Sequence, residues 1–164
     1  MMRMLIRQVR YDHPDAVKLN DQVQLEYAER YEDEGDVTPL DATMFVPPRG
    51  LYLIAYDAEG RPVASGGWRS QETNAENYRD GDAELKRMYV VPEARGLGLA
   101  RRILAALEDD ARTAGRIRMV LETGDKQPEA IALYGSTGYE PCEKFGHYRN
   151  HDSSRCFAKP LGHS

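Results

Sequence analysis

Glu84-Leu-Lys-Arg-Met-Tyr-Val-Val-Pro-Glu-Ala-Arg-Gly-Leu-Gly-Leu-Ala-Arg101 holds a strand, a turn and a helix entry in succession. Leu85 and the Met88-Tyr89-Val90-Val91 run favour an extended segment, and Pro92, which has no N–H for a ladder, ends it. Leu99, Ile103, Leu104, Leu107 and Ala111 then recur at helical spacing, so the Arg95–Ala100 loop opens a helix. The N–H groups of a first helical turn have no partner inside the helix, and their partial charge of about half a positive unit favours an anion there. Gly96 and Gly98 carry no Cβ that would hold a phosphate away from those amides. Arg95 and Arg101 add full positive charge beside them, and the whole reads as a phosphate cradle.

The identity of the phosphate follows from what the loop lacks and has. A dinucleotide fingerprint requires a third glycine where this chain has Arg101, and no Gly-Lys-Ser/Thr follows for a P-loop. Arg95-x-x-Gly98-x-Ala100, preceded by Glu84 at the start of the strand, resembles the acetyl-CoA-binding motif of the GNAT superfamily of N-acetyltransferases. Ala130-Ile-Ala-Leu-Tyr134-Gly-Ser-Thr-Gly138-Tyr139 resembles that superfamily's second signature, a helix that carries a tyrosine and ends at Gly-Phe or Gly-Tyr. Pro128 suits the start of this helix and Gly138 a left-handed cap at its end. Taken alone, Tyr134 reads as an amphipathic core residue with a buried ring and a wet hydroxyl. The resemblance covers residues 83–139 well and the remainder in outline.

Bulk properties fit a single domain over residues 1–164. The composition is 41% hydrophobic and 30% charged with a net charge of −5, ordinary for a soluble globular chain. No basic block provides for a nucleic acid backbone, and no run approaches the roughly 18 apolar residues of a membrane span. The N-terminus lacks a signal-peptide core. Cys142 and Cys156 are too few for a disulfide scaffold and read as reduced thiols of a cytoplasmic protein. No Cys-x-x-Cys occurs, and His147 and His151, though spaced i, i+4, lie in a segment that reads as a turn and not as a helix that would aim both at a metal.

Along the chain, Leu5 to Tyr11 reads as a strand. A helix starts at Pro14, runs through Ala16, Leu19, Val23 and Tyr27, and ends near Glu32-Asp33-Glu34-Gly35. Residues 50–56 and 61–68 read as strands joined by a hairpin turn, followed by a polar loop over residues 70–82. After the cradle helix come a strand over Ile117–Glu122, the tyrosine helix, and strands near residues 139–145 and 155–159. The order β-α-β-β-β-α-β-α-β-β predicts an α/β domain whose mixed sheet has helices on both faces. The GNAT resemblance further implies a mostly antiparallel sheet in which the central strands 84–91 and 116–122 splay apart, with the pantetheine arm of acetyl-CoA in the gap.

Acetyl transfer to an amine needs a deprotonated nitrogen, since an alkylammonium has a pKa near about 10, together with a polarised carbonyl and a protonated leaving thiolate. The resemblance implies Tyr134 as the acid and Glu84 as the base, acting through ordered water. It implies the backbone of Met88, Tyr89 and Val90 for the carbonyl and pantetheine amides, and Arg95, Gly96, Leu97, Gly98, Leu99, Ala100 and Arg101 for the pyrophosphate. A strand-end carboxylate is the alternative for Glu84. The acidic, aromatic run of Glu26, Tyr27, Tyr31, Glu32, Asp33 and Glu34, and the 145–154 segment, are expected to face the acceptor. The expected partner is a small-molecule primary amine or amino acid, with no metal, and a homodimer is compatible with the sequence. A protein N-terminus or lysine as acceptor, or an acyl-CoA-binding sensor without turnover, are the alternatives.

Overall fold

The computed structural model describes residues 4–31 and 35–162. Seven strands form one sheet in the order β1-β2-β3-β4-β5-β7-β6. The strands are β1 Leu5–Gln8, β2 Gly50–Tyr56, β3 Pro62–Gln71, β4 Asp82–Val90, β5 Arg118–Gly124, β6 Glu140–Pro141 and β7 Ser154–Pro160, and the α-helices are α1 Pro14–Tyr31, α2 Leu99–Thr113 and α3 Pro128–Ser136. Every neighbouring pair is antiparallel except β4 and β5. The mixed, mostly antiparallel α/β sheet expected from the sequence is the one observed.

The faces of the sheet follow from register. Tyr52 lies opposite Gly67 and Leu51 opposite Trp68, and successive residues of a strand point to opposite sides. On one side α1 reaches Tyr52, whose hydroxyl accepts a 3.2 Å bond from Asn20. On the other, Trp68 Nε1 donates to Asp110 of α2 at 2.9 Å. The helical period read in α2 is its buried stripe, with Leu99, Ile103, Leu104, Leu107 and Ala111 all inside. Each large apolar side chain on that stripe contributes about 1.5–3 kcal/mol.

Several boundaries differ from the sequence reading, with β3 running on to Gln71 and β5 to Gly124. β1 stops at Gln8, because Tyr11 turns inward to stack on Phe45 with ring centroids 4.8 Å apart. The strand expected over 139–145 is only Glu140–Pro141. The chain then turns so that Phe145 packs on Tyr78 at 5.1 Å.

Two irregularities position the site. Pairing of β4 with β5 spans only Asp82↔Arg118, Ala83↔Met119 and Glu84↔Val120, and the strands splay beyond it. Pairing of β4 with β3 jumps from Gly67↔Lys86 to Ser65↔Tyr89, so Arg87 and Met88 together oppose Gly66. This bulge holds Arg87 at φ +60°, a left-handed conformation that costs a side-chain-bearing residue roughly 1–3 kcal/mol.

Candidate active site

A cavity of about 180 Å³ fills the gap between the splayed strands. Leu85 to Met88 of β4 form one wall and Leu121 to Gly124 of β5 the other. Tyr27 and Tyr31 of α1, Tyr134 of α3 and the Tyr148–Ser154 turn close it. Gly124 makes the α1 contact feasible, because a Cβ there would collide with the Tyr31 hydroxyl.

Tyr134 is buried, 6% exposed, with its ring edge-on to Tyr139 at 5.6 Å. Its hydroxyl bonds to no described residue. Burial first, and the neighbouring Tyr27 second, push the phenol well above its ordinary pKa, so it carries its proton throughout the neutral range. α3 is built as its residues require. Pro128 begins it and the left-handed Gly138 follows its end, letting Tyr139 N–H bond back to Tyr134 O at 3.0 Å.

Glu84 is elsewhere. Its carboxylate is 4% exposed and accepts bonds from Arg69 Nε at 2.8 Å, Gln71 Nε2 at 3.1 Å and Tyr78 Oη at 2.9 Å. It does not line the cavity, and the structure does not bring it together with Tyr134. Removing one partner of a buried ion pair leaves the other charge uncompensated, so Glu84→Ala is expected to destabilise the fold by about 3–5 kcal/mol. A denaturant midpoint within error of the parent would contradict that structural assignment.

The carboxylate that shares the cavity lining with Tyr134 is Glu122, which the sequence reading left as a strand end. Burial raises it to about 7, with Lys86 and Ser154 pulling the other way. The available signal was its place in Met119-Val-Leu-Glu122, since a strand running parallel to its neighbour inside an α/β sheet is normally apolar throughout.

The loop read as a phosphate cradle leads straight into α2. Gly98 is the N-cap of α2 at φ +78° and supplies no side-chain cap, leaving the first-turn N–H groups unspent. A Cβ built on Gly96 or Gly98 would meet nothing within 4 Å, so the space over those amides is open and fits a pyrophosphate. Arg101 bonds Ser136 Oγ at 2.6 Å. Arg95 is already engaged. It donates to Val90 O at 3.0 Å, pairs with Glu26 at 2.9 Å and lies over the Tyr89 ring at 6.0 Å. Met88 lines the cavity, while Tyr89 and Val90 continue β4 toward the cradle. Their β5-facing edge lies beyond the last ladder pair.

Of the acidic, aromatic run, Tyr27 and Tyr31 line the cavity. Glu26 instead pairs with Arg30 and Arg95, and Glu32, Asp33 and Glu34 lie outside the described residues. Asp36, Lys86 and Arg87 form a charged group on the wall that the sequence reading missed. Burial works to raise the Asp36 carboxyl, but Lys86, Arg87 and the bonds from Thr38 outweigh it and hold the group well below the usual carboxylate range. Among the described residues, no three His, Cys, Asp or Glu side chains converge as a metal site.

The family model described as "Acetyltransferase (GNAT) family" matches residues 17–139, from α1 through the second glycine-ended helix. The chain belongs to the GNAT family. An IAA acetyltransferase of Azospirillum brasilense is 44% identical over 81 residues, covering 49% of this chain and 53% of the relative. The uncharacterized N-acetyltransferase YjgM of Escherichia coli is 35% identical over 94 residues, covering 57% and 53%. The matches span about half the length of these curated relatives. A solved Klebsiella pneumoniae structure, described as an acyl-CoA N-acyltransferase, superposes with a TM-score of 0.75 at 28% identity, covering 97% of this chain and 98% of its own. The splayed pair, uncapped helix and tyrosine helix thus belong to a GNAT domain.

Proposed function

We propose that this GNAT protein is an acetyl-CoA-dependent N-acetyltransferase acting on a primary amine of a small molecule. The observation that carries the reading is the early end of the β4–β5 ladder, which opens inside the sheet a cavity lined by both Tyr134 and Glu122. The cavity runs toward the cradle along β4, so an extended arm held by the free β4 edge would connect the two.

Bound acetyl-CoA supplies the thioester carbonyl that the amine attacks. The chain supplies the rest. The Gly96–Arg101 amides and Arg101 hold the pyrophosphate, and the Met88–Val90 edge orients the arm. Arg95 reaches the phosphates by exchanging its Glu26 contact. Glu122 takes the proton of the incoming ammonium, a task for which a base near neutral pH is well placed. Tyr134 holds a proton at its Oη for the departing sulfur. Glu122 thus replaces Glu84 as the proposed base, because the Glu84 lone pairs are committed to Arg69, Gln71 and Tyr78. The free thiols Cys142 and Cys156 support a reducing, cytoplasmic setting.

The test is CoA release from acetyl-CoA with polyamines, amino acids, aminoglycosides and peptides as acceptors. Turnover of small amines is the expected result. Turnover of peptides and folded proteins alone would transfer the activity to a macromolecular acceptor, and tight acetyl-CoA binding without any turnover would favour a sensor. The cradle has its own test. Gly98→Val introduces a branched side chain at a left-handed position in front of the amides, and is expected to weaken acetyl-CoA binding by calorimetry by about tenfold or more, the equivalent of about 1.4 kcal/mol. Unchanged affinity would place the pyrophosphate elsewhere.

A further inference from the structure

We propose that the acceptor amine also carries a carboxylate, and that Lys86 and Arg87 receive that group on the cavity wall. The inference rests on the N-acetyltransferase reading above and adds the chemical class of its acceptor.

Arg87 carries the argument. Its side chain is 5% exposed and lines the cavity, yet of the five N–H donors of a guanidinium only Nη2 is engaged. That contact is long, 3.4 Å to Asp36 O, with an ion pair of 3.8 Å to Asp36 Oδ2. Nε is buried with no partner among the described residues, and Nη1 donates to none of them. A buried donor left unpaired costs about 1–3 kcal/mol, and more when it is charged. The bulge adds backbone strain at the same residue. A strained position whose guanidinium lines a cavity with donors unspent is built to be completed by a ligand.

The charges identify the ligand's sign. Lys86, 11% exposed, has a single ion-pair partner, Asp36 Oδ2 at 3.3 Å. Two buried cations therefore share one carboxylate, whose other oxygen accepts from Thr38 N. Glu122 is the remaining carboxylate on the wall, and in the reading above its charge is met by the incoming ammonium, which leaves the second cation of the Lys86–Arg87 pair unmatched. An acceptor bearing extra amines would bring like charge against Lys86 and Arg87. A carboxylate instead accepts a planar pair of N–H bonds from Arg87 and a third from Lys86. With the amine between Glu122 and Tyr134, both ends fit within one cavity of about 180 Å³, which suits a small zwitterion of the amino-acid kind.

The experiment compares the common L-amino acids with their α-amides and decarboxylated amines as acceptors, and the corresponding N-acetyl acids with N-acetyl amides as ligands of the CoA-saturated protein by calorimetry. Wild type is expected to prefer carboxylates by about tenfold or more, in kcat/KM and in affinity, as for loss of one charge-assisted bond. Lys86→Met and Arg87→Gly are expected to bring the preference to near unity through KM while acetyl-CoA affinity persists. Glycine suits the positive φ, so the second variant guards against misfolding. Amides or plain amines used as well as acids, a preference that survives both variants, or no acid bound at all would each overturn the proposal. The first two of these leave acetyl transfer to amines standing. Loss of the N-acetyltransferase reading itself would instead show as absence of acetyl-CoA binding by the wild type.

Discussion

Tyr134→Phe is expected to lower kcat by about 10²–10⁴-fold, the range typical of a general acid, with the fold intact. The substitution keeps the ring and its edge-on contact with Tyr139. Because the hydroxyl bonds to no described residue, its loss leaves no orphaned partner behind. Stability should therefore move by less than about 0.5 kcal/mol, separating chemistry from folding in one variant. The measurement is single-turnover acetyl transfer at saturating amine beside a denaturant melt. A rate within a factor of two of the parent would return the tyrosine to a purely packing role.

Glu122→Gln is expected to remove the ionisation near pH 7 from the kcat/KM profile and to lower the plateau rate by about 10²–10⁴-fold. The sign follows from burial. A base must be deprotonated to act, so the parent's rate rises with pH through about 7, while the glutamine variant stays flat there. Glu84→Gln, by contrast, should leave that inflection in place. Stability moves the other way. A carboxyl raised in the folded state stabilises it below the unfolded value near 4.5, and that contribution is lost as pH climbs through about 7. Above pH 7, then, the ionised Glu122 burdens the fold. Glu122→Gln should melt higher than the parent at pH 8, by roughly 3–10 °C for some 1–3 kcal/mol, with the gap closing at pH 5. Parallel melting curves at the two pH values would argue against the buried base.

Much of this was legible in the chain because the signals are local. Gly96 and Gly98 before Leu99, Pro128 before the tyrosine helix and Gly138 after it each act within one turn of backbone, and each lies where the sequence placed it. The two glutamates were not separable that way. Glu84 and Glu122 sit on adjacent parallel strands, each beside an apolar run. What divides them is whether Arg69, Gln71 and Tyr78 fold onto one of them, which depends on the pairing of β3 with β4. Arg87 was more hidden still. Nothing in Leu85-Lys-Arg-Met88 announces a bulge, because the extra residue is defined by what β3 places opposite it. Asp36 reaches Lys86 and Arg87 across 50 and 51 residues of sequence, beyond any periodicity.

The short β4–β5 ladder has a consequence for how this protein keeps company with others. A strand edge is ordinarily dangerous at the rim of a sheet, where a foreign chain can zip onto it and seed aggregation. Here two such edges are turned toward each other in the middle of the sheet, one from Leu85 onward and one from Leu121 onward. Tyr134, Tyr27 and the Tyr148 turn stand over the opening. On the proposed function, the sticky backbone is thereby kept for a thin, extended ligand in the interior of the sheet and away from the rim where chains zip together.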